Sequence, residues 1–403
     1  METIRKINAE EILDSRGNPT IRVSVSSENI TTFAEVPSGA STGKYEALEL
    51  RDGDKGRYAG KGVLLAVKNI EEKIAPALMG KDPLNQKGID ETIIELDGTK
   101  NKSKLGGNAT IGVSMAMARL ASKIERKPLF KYLEGISDVK KSRELPYLQA
   151  NLVNGGKHAE TSLPFQEYHV VPDTEDINEA LEIIFKMQNG LKKELHANIG
   201  DEGGFVTKFN NIEEPLEKFS KIASKEGLTG KIKYSLDVAA SSFFDNGIYD
   251  LGYKKIDSTE LLNIYKDLCK KYPMLSIEDP FGEDDFTMFT KTEEELPGLF
   301  VIGDDLTVTN KERLQEAINK KSVSGLIIKP NQIGTLTETF ETMKLAGANG
   351  IECIVSHRSG ETNDDFIADL AVATGAFGVK FGALQRGERI AKYNRLKEIY
   401  SFK

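Results

Sequence analysis

The chain has no tryptophan, two cysteines and four histidines among 403 residues. Two thiols cannot build a disulfide framework, and Cys269 and Cys353 fall in a helix-like and a strand-like run, so both read as buried thiols. No apolar run approaches the roughly 18 residues that a membrane span needs. The opening Met1-Glu-Thr-Ile-Arg-Lys6 lacks the cationic and apolar regions of a signal peptide, so the expected setting is the cytoplasm, away from membranes. Basic residues are also short: 54 Lys and Arg stand against 62 Asp and Glu, a formal net charge of -8. That balance disfavours general nucleic-acid binding while leaving room for a local positive pocket that takes an anion. Low-complexity tracts are missing, as are repeats beyond an alternation of strands and helices.

What remains is an ordinary folded composition, 39% hydrophobic and 29% charged, over a length that suggests two domains. The first, residues 1–135, reads as α+β. Thr20 to Ser26 alternates with period two and Ile30 to Val36 follows a turn, which predicts a short antiparallel meander. Gly62–Leu78, Pro83–Leu96 and Asn108–Ile124 carry apolar residues at helical spacing, the last with the small residues of a closely packed helix. Gly135 to Pro146 is the most polar connection, and a second domain, 146–403, is expected to start its strands near Leu148. Two glycine-rich loops stand out. Pro37-Ser-Gly-Ala-Ser-Thr-Gly-Lys44 fails the phosphate-loop pattern, because Gly39 and Gly43 are too close and Tyr45 replaces the hydroxyl residue. Asn154-Gly-Gly-Lys-His-Ala159 has the backbone freedom of a lid over a ligand.

The second domain is organised around six polar residues, each placed directly after a short apolar run: Asp237, Glu278, Asp304, Lys329, His357 and Lys380. Runs of this length, separated by amphipathic segments, predict buried parallel strands alternating with helices. After the first interval the stations recur roughly every 25 residues, the length of one β/α unit of a barrel. One such acid is ordinarily a helix cap; six in register place three carboxylates, two lysines and an imidazole at one barrel mouth. Three carboxylates from three strands form a hard-oxygen cage suited to Mg²⁺. A lysine beside such a cation has its ammonium form disfavoured and can serve as a general base.

Longer motifs carry a family resemblance. Asp14-Ser-Arg-Gly-Asn-Pro-Thr20, Ser38-Gly-Ala-Ser-Thr-Gly43, Asn154-Gly-Gly-Lys-His158, Gly200-Asp-Glu-Gly-Gly204, Ser276-Ile-Glu-Asp-Pro-Phe281, Asp304-Asp-Leu-Thr-Val-Thr-Asn310, Lys329-Pro-Asn-Gln-Ile-Gly-Thr335 and Val355-Ser-His-Arg-Ser-Gly-Glu-Thr362 resemble the enolases over nearly the whole chain. The resemblance implies an α/β fold, a C-terminal β/α (TIM-like) barrel preceded by a smaller α+β domain with a three-stranded meander. It implies reversible dehydration of 2-phosphoglycerate to phosphoenolpyruvate with two Mg²⁺ ions per active site, in a homodimer or octamer. The enolase superfamily is itself the established example of a lysine or histidine base working with one or two Mg²⁺ ions, so that pairing comes with the resemblance.

Carried over by motif, Asp237, Glu278 and Asp304 match the ligands of the first Mg²⁺, and Ser41 a ligand of the second. Lys329 matches the base that removes the α-proton and Glu202 the acid that protonates the departing hydroxyl, with Glu167 near enough to raise its proton affinity. Lys380 resembles the partner of the substrate carboxylate, and Arg358 and Ser359 the phosphate ligands. His158 matches the histidine of the second lid, Gln166 and Glu167 an adjacent substrate-binding pair, and His357 joins the catalytic set. His169 and His196 lie outside the motifs and read as packing or surface residues. The chain departs from the usual pattern at Phe381, Leu384 and Gly387, and stops soon afterwards at Lys403. Two other readings compete: a barrel enzyme that takes a proton next to a carboxylate without handling phosphate, which leaves Ser41, His158, Arg358 and Ser359 idle, and a cell-surface receptor for plasminogen acting through the C-terminal Lys403.

Overall fold

The computed structural model describes residues 2–39, 43–156 and 163–402. Alternation over 19–26 becomes β2 (Pro19–Ser26), the centre of a meander with β1 (Lys6–Leu13) and β3 (Thr31–Glu35). Both pairings are antiparallel. Ile21, Val23 and Val25 point to one face and are fully buried, as a period of two requires when one side meets a core. Against that face lies a run of helices. In chain order they are α1 (Leu64–Asn69), which continues through a π turn into α2 (Ala75–Leu78), then α3 (Gln86–Asp97), α4 (Gly107–Ile124) and α5 (Leu129–Ser137). The close packing expected of α4 is visible at Gly112, where a Cβ would sit 2.7 Å from Val23 Cγ2. Helix α5 runs through Gly135, so the polar connection begins later than its composition suggested.

The remaining strands are β4 (Tyr147–Leu148), β5 (Ala150–Asn154), β6 (Glu167–Pro172), β7 (Asn198–Ile199), β8 (Phe205–Val206), β9 (Ile232–Asp237), β10 (Phe244–Asp245), β11 (Ile248–Asp250), β12 (Lys255–Ile256), β13 (Met274–Glu278), β14 (Phe300–Gly303), β15 (Gly325–Ile328), β16 (Glu352–Ser356) and β17 (Gly378–Lys380). Between and after them run α6 (Ile177–Glu194), α7 (Glu214–Lys225), α8 (Ser258–Lys271), α9 (Phe286–Glu295), α10 (Lys311–Lys320), α11 (Pro330–Ile333), α12 (Leu336–Ala348), α13 (Phe366–Thr374) and α14 (Gly387–Ser401). Strands β10 to β12 form a small sheet of their own, and the rest form one sheet in the order β4-β17-β16-β15-β14-β13-β9-β6-β5-β8-β7. Because β4 pairs with β17 while β5, starting two residues after β4 ends, pairs with β6, the segment 147–154 joins both edges and closes a barrel.

From β9 through β17 the neighbours in this sheet are parallel, as the apolar runs predicted. Strand β6 departs from the β/α rule: it is antiparallel to both β5 and β9. Its beginning, not its end, therefore lies at the mouth, with Glu167 paired to Asp237.

The meander and its helices lean on that mouth. Ser38 and Gly360 exchange backbone hydrogen bonds, and Ala47 N donates to Gln332 O at 2.7 Å. The first turn of α12 has its free N–H groups satisfied from the N-terminal half, Leu336 N donating to Ser114 Oγ and Thr337 N to Asp90. Lys102 adds an ion pair to Glu338 at 2.8 Å. Helix N-termini need such acceptors, and here they fix the loop that carries Lys329.

Candidate active site

The six stations converge. Asp237, Glu278 and Lys380 are the last residues of β9, β13 and β17, while Asp304, Lys329 and His357 directly follow β14, β15 and β16. All but Glu278 line one cavity, together with Gln166, Glu167, Glu202, Arg358 and Ser359 from the sequence reading; Glu278 borders it through Lys380. Lys380 Nζ sits among carboxylates, 2.8 Å from Asp237 Oδ2, 3.0 Å from Glu278 Oε1 and 3.2 Å from Glu167 Oε1. Burial works against its ammonium, but the charges of Asp237, Glu167 and Glu278 hold its pKa well above the lysine range. The same crowding drives Glu278 well above the carboxylate range, by burial first and then by the charge of Asp237. Carboxyl groups outnumber the neighbouring lysines here and offer only oxygen donors, which suits a hard divalent cation.

Asp304 is held on two sides: Gln332 Nε2 donates to Oδ1 at 3.0 Å and Lys329 Nζ is ion-paired to Oδ2. Burial opposes its charge, yet Lys329 and Lys380 outweigh burial and lower its pKa. Lys329 is in turn raised: burial disfavours its ammonium but Asp304 prevails. The lowering expected for a lysine beside a cation is thus not produced by the protein's own charges, which favour the protonated form.

A second group surrounds Glu202. Asn151 Nδ2 donates to Glu202 Oε2 at 3.0 Å, and His357 Nε2 lies 3.5 Å from Oε1. One ligand atom each from Glu167, Glu202 and His357 falls within a 4.8 Å cluster, so the two carboxylates are near neighbours as expected. Of the two roles open to His169, packing or surface, the structure gives packing: it is buried with Nε2 2.8 Å from Glu167 Oε2. Two residues apart on one strand, the side chains of Glu167 and His169 share a face. Burial pushes both His169 and His357 down to about 3.

At another wall of the cavity the Arg358 guanidinium meets Glu46 in a fork, with Nη1 3.0 Å from Oε2 and Nη2 3.2 Å from Oε1. Asn331 Oδ1 accepts from the same Nη1 at 3.1 Å. Gln166 Nε2 donates to Asp237 Oδ2 at 3.1 Å. Ser41 and His158 lie outside the described residues. His196 is exposed. Phe381 is buried with its ring centroid 5.8 Å from that of Tyr393, and Lys380 keeps its carboxylate contacts beside it. Cys353 is buried, whereas Cys269 is only partly so, and both are free thiols.

Sequence reading missed Glu46, Asn151, Asp279, Asp305, Gln332 and Arg389. Doubled acids at 278–279 and 304–305 were a usable signal for two of them. Asp279 accepts hydrogen bonds from Asp304 N at 2.9 Å and Asp305 N at 2.7 Å, and its φ of 41° is unusual for a residue with a side chain. Asp279, Asp304 and Asp305 also offer a carboxylate cluster within 4.8 Å.

The closed barrel and the acidic, lysine-flanked mouth define a β/α-barrel enzyme whose mouth carries carboxylate clusters that could hold a cation. Two family models match the chain: "Enolase, N-terminal domain" over residues 4–133 and "Enolase, C-terminal TIM barrel domain" over residues 142–401. The enolase of Campylobacter jejuni subsp. doylei is 47% identical over 407 residues, covering 99% of this chain and 97% of that protein. Enolase B of Dictyostelium discoideum is 47% identical over 418 residues, covering 98% and 94%. The chain belongs to the enolase family, lyases that dehydrate 2-phosphoglycerate to phosphoenolpyruvate. Among the described residues no helix is long and apolar enough to cross a membrane.

Proposed function

We propose that this chain interconverts 2-phosphoglycerate and phosphoenolpyruvate with Lys329 as the base and Glu202 as the acid. The observation that supports it most is that both line one cavity with different immediate neighbours, Lys329 paired with Asp304 and Glu202 beside Asn151 and His357. Lys329 takes the α-proton on Nζ. Glu202 delivers a proton to the hydroxyl leaving the neighbouring carbon, so the two ends of one elimination are served by groups that do not compete. Lys380 faces the substrate carboxylate, and Arg358, oriented by Glu46, takes the phosphate with Ser359.

Asp237, Glu278 and Asp304 would hold the first Mg²⁺ and Ser41 would contribute to the second. When bound, Mg²⁺ would supply positive charge that stabilises the substrate carboxylate, with Asp304 serving as one of its ligands. The working form is taken as a cytoplasmic homodimer or octamer, divided into units at 1–135 and 146–403.

Formation of phosphoenolpyruvate from 2-phosphoglycerate, followed by ultraviolet absorbance with Mg²⁺ and again after chelation, tests the reading. Turnover that stops on chelation is expected. A folded, Mg²⁺-loaded sample with no turnover would overturn it.

A further inference from the structure

Arg389 sits in the first turn of α14 and is fully buried. Its terminal nitrogens all meet neutral acceptors. Nη1 donates to Arg358 O at 2.7 Å and lies 2.6 Å from His357 Nδ1; Nη2 donates to Ser359 O at 2.8 Å and to Asp201 O at 3.0 Å. One planar fork thus joins the loop that carries Glu202, the imidazole beside Glu202 and the backbone of the two residues that face the phosphate.

The contact with His357 has a chemical consequence. A guanidinium only donates and does not lose its proton in proteins. Nδ1 must therefore be the accepting nitrogen, and a neutral imidazole must carry its proton on Nε2, the atom 3.5 Å from Glu202 Oε1. Packing leaves little room for another arrangement. A Cβ on Gly382 would fall 2.5 Å from Glu202 O, 3.1 Å from His357 Cε1 and 3.2 Å from Arg389 Cδ, and its φ of +83° already favours glycine.

We infer that Arg389 is a positioning residue: it fixes His357 as the Nε2–H tautomer aimed at Glu202 and ties the Glu202 loop to the Arg358–Ser359 backbone. The inference rests on the reading of Glu202 as the acid. Arg389 touches His357 and the Glu202 loop directly but reaches Lys329 only through Arg358, Glu46, Gln332 and Asp304, so its loss should fall on dehydration more than on removal of the α-proton.

The first test needs no substitution of Arg389. Proton–nitrogen correlation spectra of histidine-labelled protein, with His357 assigned by its loss in His357→Gln, should show a protonated Nε2 and an unprotonated Nδ1. A proton on Nδ1, or on both nitrogens, near neutral pH overturns the inference. The second test compares Arg389→Met with Arg389→Lys, both checked for folding by circular dichroism. In Arg389→Met, kcat for dehydration should fall by roughly 10²-fold, the scale of a mispositioned acid, while α-proton exchange of 2-phosphoglycerate stays within a few-fold of the parent. Arg389→Lys can still donate to Nδ1 and should recover the parent tautomer with part of the activity. Equal losses of exchange and dehydration in folded Arg389→Met, or an unchanged kcat, overturn the proposal; if that variant does not fold, the parent tautomer and Arg389→Lys decide. The parent tautomer found with full dehydration in Glu202→Gln would instead reject the acid assignment.

Discussion

The two ends of the barrel are built from the same strands and could hardly differ more. At the floor, Tyr147, Val171, Leu275, Ile302, Ile327, Ile354 and Phe377 form a buried apolar cluster. The rings of Phe300 and Phe377 lie 4.6 Å apart, and Arg143 covers Tyr147 at 3.9 Å. Two or three residues further along, the strands carry Glu278, Asp304, Lys329, His357 and Lys380. An apolar layer is stabilised by leaving water and needs no particular partner. Buried charges are stabilised only by one another, so removal of one leaves its neighbours uncompensated. Damage at the floor should therefore appear as lost stability alone, and damage at the mouth as lost chemistry together with whatever stability the uncompensated charges cost.

The sharpest break in that contrast is expected from Lys329→Ala. Loss of a general base costs roughly 10²–10⁴-fold, so both α-proton exchange and dehydration should collapse by about that factor. Exchange at the parent rate would rule out Lys329 as the base. Glu202→Gln should cost dehydration within the same roughly 10²–10⁴-fold range while leaving exchange detectable, because the proton is removed before the hydroxyl needs its acid. Simultaneous exchange and turnover measurements separate the two variants, and parallel losses in Glu202→Gln would defeat the division of labour.

Why the mouth was legible while much of its support was not follows from chain direction. Each of the six stations ends an apolar run, a local pattern that predicts a parallel strand and the end at which it stops. Nothing local announces that β6 runs the other way. That reversal brings the start of the strand, Glu167, level with Asp237, and carries His169 to a place that its surroundings in sequence left undecided. Glu46, Asn151 and Arg389 come from a loop, a strand and a helix remote in the chain from the groups they hold, and only barrel closure and the docked N-terminal half bring them near. The family resemblance named Gln166, Glu167 and Arg358; the physical reasons for their placement, β6's direction and the Glu46 fork, appear only in three dimensions.

A floor substitution completes the comparison. Ile327 is fully buried in the apolar cluster, and Ile327→Ala should cost about 2–5 kcal/mol through lost burial and the cavity left behind. Turnover per folded molecule should change little. Urea unfolding gives the first quantity and active-site-normalised kcat the second. A large fall in kcat with undisturbed stability would show that floor and mouth are coupled rather than separate.

The smallest expected effect concerns acid. His169 is held near 3 by burial and then by the charge of Lys380, below the roughly 6.5 of a histidine in an unfolded chain. Between those values the unfolded state binds the extra proton, so the folded state loses stability as pH falls from about 6.5 toward 3. One such group contributes at most about 1.4 kcal/mol per pH unit. His169→Gln keeps a side-chain donor for Glu167 but does not titrate, and its urea midpoint should fall less between pH 7 and pH 5 than the parent's. Ile327→Ala, by contrast, should lower the midpoint at both pH values without flattening the slope. Parallel pH dependences for His169→Gln and the parent would mean that His169 is not a source of acid sensitivity, and would leave His357 and the crowded carboxylates of the mouth to account for it.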